Sequence, residues 1–343
     1  MNTLFANIIN ELKEGRPLVL AGILTSEGSS PRGAGSLMLV GERGRIRGSV
    51  GGGAVEKLCQ EEARDCLDRR CSGERRFGLR QDGPDSTGMA CGGEVAVWFQ
   101  FIDPAQREWR ELSEAVLRMA AEHRAGWLVL KLDGSVPALL DGEGRLIFGS
   151  CREPAPELAE ERCVKTDACF YLPLHVRERA VIFGGGHCAQ ALAPVLSKVG
   201  FRVTVFDCRP EFSMPELFPE AETVICGDYL NIAASVTITA SDYVVIMTNG
   251  HSHDLEVERQ VLQTPAAYVG VIGSRNKAAF ISRKLKEEGV PDEALSRVHS
   301  PIGTAIKADT PEEIAISIAG EMIYERALLR ETRGSRPHRC PMR

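Results

Sequence analysis

The strongest chemical signal in the sequence is a glycine-rich turn at residues 184–189. The letters GGGHCA give Gly184, Gly186 and Ala189 the spacing GxGxxA, after the apolar run 180–183 and before a stretch with helical spacing. In that context glycines let the backbone approach a phosphate, and the N-terminus of the helix favours an anion. The sequence therefore predicts a phosphate-binding turn. The alternative is a turn that is tight only for packing.

An acidic residue stands where a nucleotide site would need one. Asp207 ends the next predicted strand, 18 positions after Ala189, where ribose-binding carboxylates stand in dinucleotide-binding sheets. His187 lies inside the turn and is a further candidate contact. Turn and acid together predict a nucleotide-like site and make NAD(P) one candidate ligand.

Three cysteines stand near the ends of neighbouring predicted strands: Cys188, Cys208 and Cys226. The carboxyl ends of parallel strands share one edge of a sheet, so we expect these thiols close to the turn. A thiol at a helix N-terminus has a lowered pKa, and one interpretation is a rim that handles sulfur or touches a metal. The interpretation we favour is burial of three small residues, because cysteine is commonly buried.

A second polar cluster follows another apolar strand, in the letters TNGHSHDLE. His251, His253 and Asp254 are placed there to ligate a metal, transfer protons or hydrogen-bond a polar ring. Their spacing matches no standard zinc signature, so no firm metal site is predicted. For Asp254 the alternative role is capping of the following helix.

A third cluster, GVIGSRNKAAF, brings positive charge to the start of a predicted helix. Ser274 is placed to cap that helix, and Arg275 and Lys277 fall in its first turn. Cations are disfavoured at a helix N-terminus, so these two predict an anionic partner nearby.

The first half of the chain contains two further glycine-rich loops, SSPRGAG and GGGAVE. Their hydroxyl, arginine and glycines resemble a second oxyanion cradle, and an arginine can hold a phosphate through two hydrogen bonds. The candidate contacts there are Ser30, Arg32, Gly51, Gly52, Gly53 and Glu56. Glu56 has capping of a helix as its alternative role.

Cys91 precedes two glycines in the letters DGPDSTGMACGG. A sulfur in such a loop is accessible, and we treat Cys91 as a candidate contact for sulfur or metal. Its alternative is an incidental exposed thiol.

Two kinds of segment must position these residues. Strand-like and helical stretches are mixed in residues 1–173, which predicts an α+β domain. From 174 to 330, continuous apolar runs alternate with helical stretches, which predicts a Rossmann-like, doubly wound parallel sheet and an α/β class overall. Thr310 and Glu313 are spaced as in a capping box, which predicts the start of the last helix. Residues 331–343 are expected to form a basic tail.

Composition limits the class of protein. The 343 residues suit two domains, and the net charge of −6 argues against a nucleic-acid partner. No apolar run approaches the ~20 residues of a membrane span. The N-terminal residues do not resemble a secretory signal, so we expect a cytoplasmic protein. The 11 cysteines are odd in number and dispersed along the chain, so we expect reduced thiols.

We expect a homodimer because twofold dimers are the commonest oligomers.

The sequence resembles the xanthine dehydrogenase accessory factor family, of the XdhC/CoxI type. The strings that carry the resemblance occur in family order in both halves. They are TSEGSSPRGAGSLMLV, RGSVGGGAVE, MACGGEV, VIFGGGHCAQALA, VTVFDCRPEF, GVIGSRNK and HSPIGTAIKADTPEEIAISIAGEMI.

That resemblance implies a maturation factor or chaperone for molybdenum hydroxylases, rather than a turnover enzyme. Such a protein binds the molybdenum cofactor (molybdopterin), supports its sulfuration, and delivers it to an apoenzyme of the xanthine dehydrogenase, CO dehydrogenase or aldehyde oxidoreductase type. A cysteine desulfurase is the implied sulfur donor.

This chain departs from some relatives at two positions. Ala90 precedes Cys91 where some relatives have a pair of cysteines, and Ala54 stands where others have cysteine. Cys91 is therefore the main candidate in the first half for contact with sulfur or molybdenum. The alternative function is an NAD(P)-dependent oxidoreductase acting on a pterin or another small molecule, and a third is a redox-sensing thiol protein.

Overall fold

The computed structural model describes residues 1–28, 32–78, 93–151 and 162–332. The chain divides into two compact units, whose main segments are Met1–Val176 and Arg177–Leu329. Most of the expected basic tail lies outside the described residues.

The first unit is built from helices and antiparallel strands. Its helices are α1 (Asn2–Lys13), α2 (Gly53–Arg69) and α3 (Arg107–Ala121). Its strands are β1 (Leu18–Glu27), β2 (Leu37–Gly41), β3 (Gly44–Gly48), β4 (Gly73–Gly78), β5 (Glu94–Ile102), β6 (Gly126–Lys131), β7 (Ala138–Asp141), β8 (Leu146–Phe148), β9 (Val164–Lys165) and β10 (Cys169–Leu174).

These strands form two five-stranded antiparallel sheets, in the orders β3-β2-β1-β5-β4 and β8-β7-β6-β10-β9. Side chains alternate along β1, so Leu20 and Val19 enter different cores. The first core joins both sheets to α1 and α3, and Trp109 is fully buried in it. The second core packs α2 against the other face of the first sheet. The α+β prediction for this half is confirmed.

The second unit is built from parallel strands joined mostly by helices. Its strands are β11 (Arg179–Phe183), β12 (Arg202–Asp207), β13 (Thr223–Cys226), β14 (Asp242–Ile246), β15 (Tyr268–Val271) and β16 (Val298–His299). Its helices are α4 (His187–Lys198), α5 (His251–Val261), α6 (Arg275–Glu287), α7 (Asp292–Leu295) and α8 (Pro311–Thr332).

The six strands lie in the order β13-β12-β11-β14-β15-β16, and every neighbouring pair is parallel. Helices cover both faces, which is why the central strands are apolar throughout: Ile182 packs on the side of Leu192 and Met322, and Val181 packs on the side of Val257. The strand order reverses between β11 and β14, and in such sheets this reversal opens a ligand crevice at the carboxyl ends. The prediction of a Rossmann-like parallel sheet is confirmed.

The last helix begins as its sequence predicts. The N–H of Glu313 donates to the Thr310 hydroxyl, and the N–H of Thr310 donates to the Glu313 carboxylate, which completes the capping box.

Among the helices of the described ranges, none has both the length and the apolar character needed to span a bilayer.

Candidate functional site

The glycine turn between β11 and α4 combines close packing with one open position. A Cβ on Gly184, which has a φ of 113°, would lie 2.2 Å from the carbonyl oxygen of Met247, and one on Gly185 would lie 1.9 Å from that of Phe212. A Cβ on Gly186 would meet no atom within 4 Å. Packing therefore explains the first two glycines, and the space beside Gly186 is open to an approaching group.

Helix α4 begins at this open position. Gly186 is its N-cap residue, and no side chain caps the helix. His187 is exposed as its first residue, so the start of α4 presents backbone N–H groups and an imidazole beside the space at Gly186. This arrangement suits an anionic group.

Asp207 is turned inward against the glycine turn. Its side chain is fully buried; it accepts a hydrogen bond of 2.7 Å from the N–H of Gly185 and three from the backbone and guanidinium of Arg209. Burial acts to raise the pKa of Asp207, but these hydrogen bonds outweigh it and the pKa is lowered. The carboxylate is therefore a positioning group for the turn, and the predicted contact with a ribose stays a prediction.

The segment after β12 closes over the turn from the side. The Arg209 guanidinium lies 3.8 Å from the centre of the Phe212 ring, and the carbonyl of Phe212 is the group against which Gly185 packs. Asp207, Arg209 and Phe212 thus hold the turn in one conformation.

Two of the three cysteines of this unit, Cys188 and Cys208, have a raised rather than a lowered pKa. Burial raises the pKa of Cys188, and Glu312 adds to the effect. Burial also raises the pKa of Cys208, together with the charge of Asp207. The lowered pKa expected at the start of α4 is therefore wrong for Cys188. Cys188 and Cys208 are half-buried and Cys226 is exposed, so the interpretation we favoured, burial of all three cysteines, is wrong.

Asp254 ties together two helix starts instead of capping one. Gly250 is the N-cap residue of α5, and Asp254 lies one turn inside the helix. Its buried carboxylate accepts hydrogen bonds from the N–H and hydroxyl of Thr248, at 3.0 and 2.6 Å, and forms an ion pair with Lys277 of α6. The capping alternative is therefore wrong. The anionic partner predicted for Lys277 is supplied by the chain itself.

His253 stands at the carboxyl end of β14 beside a buried tyrosine. Its Nδ1 donates to the side-chain oxygen of Asn249 at 3.0 Å, and its ring centre lies 5.2 Å from that of Tyr229. Tyr229 is 1% exposed, and its hydroxyl has no hydrogen-bond partner among the described residues. The side chain of His251 lies outside those residues.

Tyr229 and Glu258 are polar groups that sequence reasoning missed. Tyr229 follows β13 in the letters GDYLN, and Glu258 lies in the second turn of α5. Burial raises the pKa of Glu258 to about 7, Asp254 adds to this, and Lys277 opposes it. Glu258 follows Asp254 by four residues, which places both acids on one face of the helix. This spacing was the signal in the sequence that pointed to Glu258.

The start of α6 places its two cations differently. The Ser274 hydroxyl accepts a hydrogen bond of 3.3 Å from the N–H of Lys277, so Ser274 caps the helix. Arg275 is exposed, and among the described residues no hydrogen bond or ion pair holds its guanidinium.

In the first unit, the glycine-rich start of α2 is partly occupied by its own acid. Glu56 accepts a hydrogen bond from the hydroxyl of Ser49 and lies 3.3 Å from the guanidinium of Arg45. A Cβ at Gly52 or Gly53 would meet no atom within 4 Å, so the loop itself is open.

The remaining candidate contacts of the first unit are Arg32, Gly51, Ser30 and Cys91. Arg32 is exposed, and Gly51 donates its N–H to the hydroxyl of Ser49. Ser30 and Cys91 lie outside the described residues. Within the part of the chain that the structure describes, no group of three His, Cys, Asp or Glu side chains is arranged to hold a metal ion.

Comparison with known proteins identifies the family. The model of the XdhC Rossmann domain matches residues 180–322, and the model of the XdhC and CoxI family matches residues 11–78. These matches fall in both units and agree with the strand order of the second. The chain belongs to the XdhC and CoxI family.

Three curated relatives cover most of this chain. It is 28% identical over 326 residues to a probable xanthine dehydrogenase subunit from Bacillus subtilis, covering 92% of this chain and 95% of that one. It is 23% identical over 320 residues to the molybdenum cofactor insertion chaperone PaoD of Escherichia coli, covering 93% and 87%. It is 27% identical over 309 residues to the uncharacterized protein YqeB of Escherichia coli; this match covers 90% of this chain but only 43% of that protein.

A solved structure shares the architecture. A crystal structure described as a xanthine dehydrogenase from Bacillus halodurans superposes with a TM-score of 0.77 and 25% identity, covering 94% of this chain and 95% of that one.

Proposed function

We propose that this protein binds the molybdenum cofactor, supports its sulfuration, and delivers it to a molybdenum hydroxylase of the xanthine dehydrogenase, CO dehydrogenase or aldehyde oxidoreductase type. In this proposal the cofactor is cargo, and the protein is not a turnover enzyme. The sulfur donor is a cysteine desulfurase, and the protein acts as a homodimer in the cytoplasm.

The observation that carries the proposal is the match to PaoD. That relative is named a molybdenum cofactor insertion chaperone, and the match extends over 93% of this chain. The relative from Bacillus subtilis, named as a probable component of xanthine dehydrogenase, supports a hydroxylase of that type as the client.

The geometry of the glycine turn supports an anionic cargo. Gly186 is open, the start of α4 has no side-chain cap, and both lie where the strand order of the sheet reverses. The phosphate of a pterin cofactor is an anion of the kind that such a turn accommodates.

The inward position of Asp207 favours this cargo over NAD(P). A ribose-binding carboxylate must offer its oxygens to the two sugar hydroxyls, whereas those of Asp207 are buried and accept from Gly185 and Arg209. The oxidoreductase alternative therefore needs Asp207 to exchange these hydrogen bonds for a sugar.

Uptake of the cofactor by the purified full-length protein tests the proposal. The unaltered protein takes up close to one molybdenum and one pterin per chain, measured by elemental analysis and by pterin fluorescence after oxidation. Gly186→Ala fills the open position and weakens uptake by roughly tenfold, or about 1.4 kcal/mol. Gly73→Ala in β4 is the matched control, because a Cβ there also meets no atom within 4 Å. Uptake that is absent, or equal in the two variants, contradicts this role of the turn.

Delivery tests the sulfuration step separately. Cys91→Ala is expected to take up cofactor normally but to lose activation of an apo hydroxylase supplied with a cysteine desulfurase and cysteine. Cys71→Ala, an exposed cysteine at another place in the same unit, is the control. Normal activation by Cys91→Ala rules out the role of that thiol.

Titration with NAD(H) and NADP(H) tests the alternative. Saturable micromolar binding together with hydride transfer to a substrate would replace the chaperone proposal by an oxidoreductase. Under our proposal neither nucleotide supports turnover.

A further inference from the structure

The second unit contains a cavity apart from the glycine turn. It has a volume of about 300 Å³ and lies among α5, α6, α7 and the segment that follows β16. This volume is at the lower end of the range for small-molecule sites, so it suits one bicyclic ring.

One face of α6 forms a wall of the cavity. Arg275, Ala278, Ala279 and Ser282 follow one another at helical spacing, and the small side chains leave the space open. Val298 and Pro301 line it as well.

A buried acid lines the cavity without a partner. Glu258 is 4% exposed, and no hydrogen bond or ion pair engages its carboxyl within the described part of the chain. The neighbouring Lys277 is already paired with Asp254. Buried polar groups in folded proteins are normally hydrogen-bonded, so an unpaired carboxyl on a residue that lines a cavity points to a ligand that donates to it.

Arg275 also lines the cavity. Its side chain is exposed and has no partner among the described residues. Acceptor oxygens at Glu258 and a cation at Arg275 define a ligand that has N–H donors on one side and a negative charge on another.

We propose that this cavity binds the 2-amino-4-oxopyrimidine edge of a pterin or guanine ring that carries an anionic substituent. The ring N–H and the exocyclic amino group donate to the two carboxyl oxygens of Glu258, and Arg275 pairs with the anion. The inference rests on the proposed function in taking the pterin of the cargo as one source of this edge, with a guanine nucleotide as the other.

A pair of nucleotides that differ by one amino group tests the edge. GMP carries the exocyclic amine and IMP lacks it. Calorimetric titration of the full-length protein is expected to give binding of GMP at least tenfold tighter than that of IMP. Glu258→Gln places an amide donor against these donors, so it weakens GMP binding by roughly 10- to 100-fold and IMP binding by less. Glu220→Gln is the control, because it changes an exposed acid in a turn.

A second variant tests the anion contact. Arg275→Met is expected to weaken GMP binding by roughly tenfold and to leave guanosine binding unchanged. Equal affinities for GMP and IMP, an unchanged GMP affinity in Glu258→Gln, or no saturable binding of either nucleotide overturns the inference.

A pterin probe separates the two sources of the ring. Pterin-6-carboxylate has the same edge and an anion, and its fluorescence reports binding. Tenfold tighter binding of this probe than of GMP assigns the cavity to the cargo, and the reverse assigns it to a guanine nucleotide. If the protein takes up the cofactor normally but binds GMP and IMP equally well, only this inference is contradicted. If Glu258 makes GMP bind more tightly than IMP but the protein takes up no cofactor, only the proposed function is contradicted.

Discussion

At the scale of single residues, three buried acids of the second unit have different environments. Asp207 is surrounded by donors, Asp254 is paired with a lysine, and Glu258 has no partner among the described residues. For Glu258 burial prevails and its pKa is raised to about 7, whereas for Asp207 the hydrogen bonds prevail and its pKa is lowered. These two carboxyls therefore affect stability with opposite dependence on pH.

Glu258→Gln is expected to stabilise the protein at alkaline pH. The pKa of this carboxyl rises from 4.5 in its ordinary state to about 7 in the folded protein, so ionisation costs stability as the pH rises from about 4.5 through 7. The variant should therefore be more stable by about 2–3 kcal/mol at pH 8 and nearly unchanged at pH 4.5. Urea unfolding at the two pH values measures this, with Glu220→Gln as control. A gain of equal size at both would contradict the assignment.

Asp207→Asn is expected to show the opposite pattern. The folded protein lowers the pKa of Asp207 below 3.8, so its contribution is present at neutral pH and is lost as the pH falls through the folded value. We expect a loss of about 2–3 kcal/mol at pH 7, the scale of hydrogen bonds to a charged group.

A double-mutant cycle with Arg209→Met identifies the cause of that loss. If the carboxylate positions the turn through Arg209, the two substitutions together cost less than the sum of the single ones. Additive costs would mean that Arg209 plays no part in it.

At the scale of elements, the starts of α5 and α6 are joined by one ion pair. Lys277 reaches back to Asp254, which also holds the end of β14 through Thr248. Lys277→Met leaves a buried carboxylate without its cation and is expected to cost about 3 kcal/mol. Thermal unfolding measures the loss, and the double variant with Asp254→Asn should recover part of it. A double variant as unstable as the sum of both single variants would contradict the pairing.

Sequence periodicity predicted most helices and strands but not which strands pair. The apolar spacing of α1 and the capping box of α8 depend only on residues close together in the chain, so both could be predicted from the sequence. The pairing of β1 with β5 joins residues far apart in the chain, and the division of the first unit into two sheets follows from such pairings. Periodicity gives the faces of a strand but not its partner.

The same limit applies to the site. The glycine turn of 184–186 was predicted from its local context, whereas the inward position of Asp207 depends on Arg209 and on the closure by Phe212. Tyr229 and Glu258 become notable only through burial, which the packing of several elements decides.

At the scale of the whole molecule, the proposal requires that both units, each with its own core, remain folded in the purified protein. We expect the protein to form a twofold dimer, the commonest closed assembly. Light scattering coupled to size-exclusion chromatography should then give a mass of about twice 37.4 kDa. A single species at 37.4 kDa across the micromolar range would contradict this expectation.

The packing of Gly184 and Gly185 against the carbonyls of Met247 and Phe212 also has a consequence for protein engineering. Even an alanine at either position collides with backbone atoms, so mutant libraries that vary these two codons would return mainly misfolded proteins. Gly186 and the surface next to it tolerate added volume. Attempts to retarget the protein to a different cargo should therefore randomise that open surface and keep the first two glycines fixed.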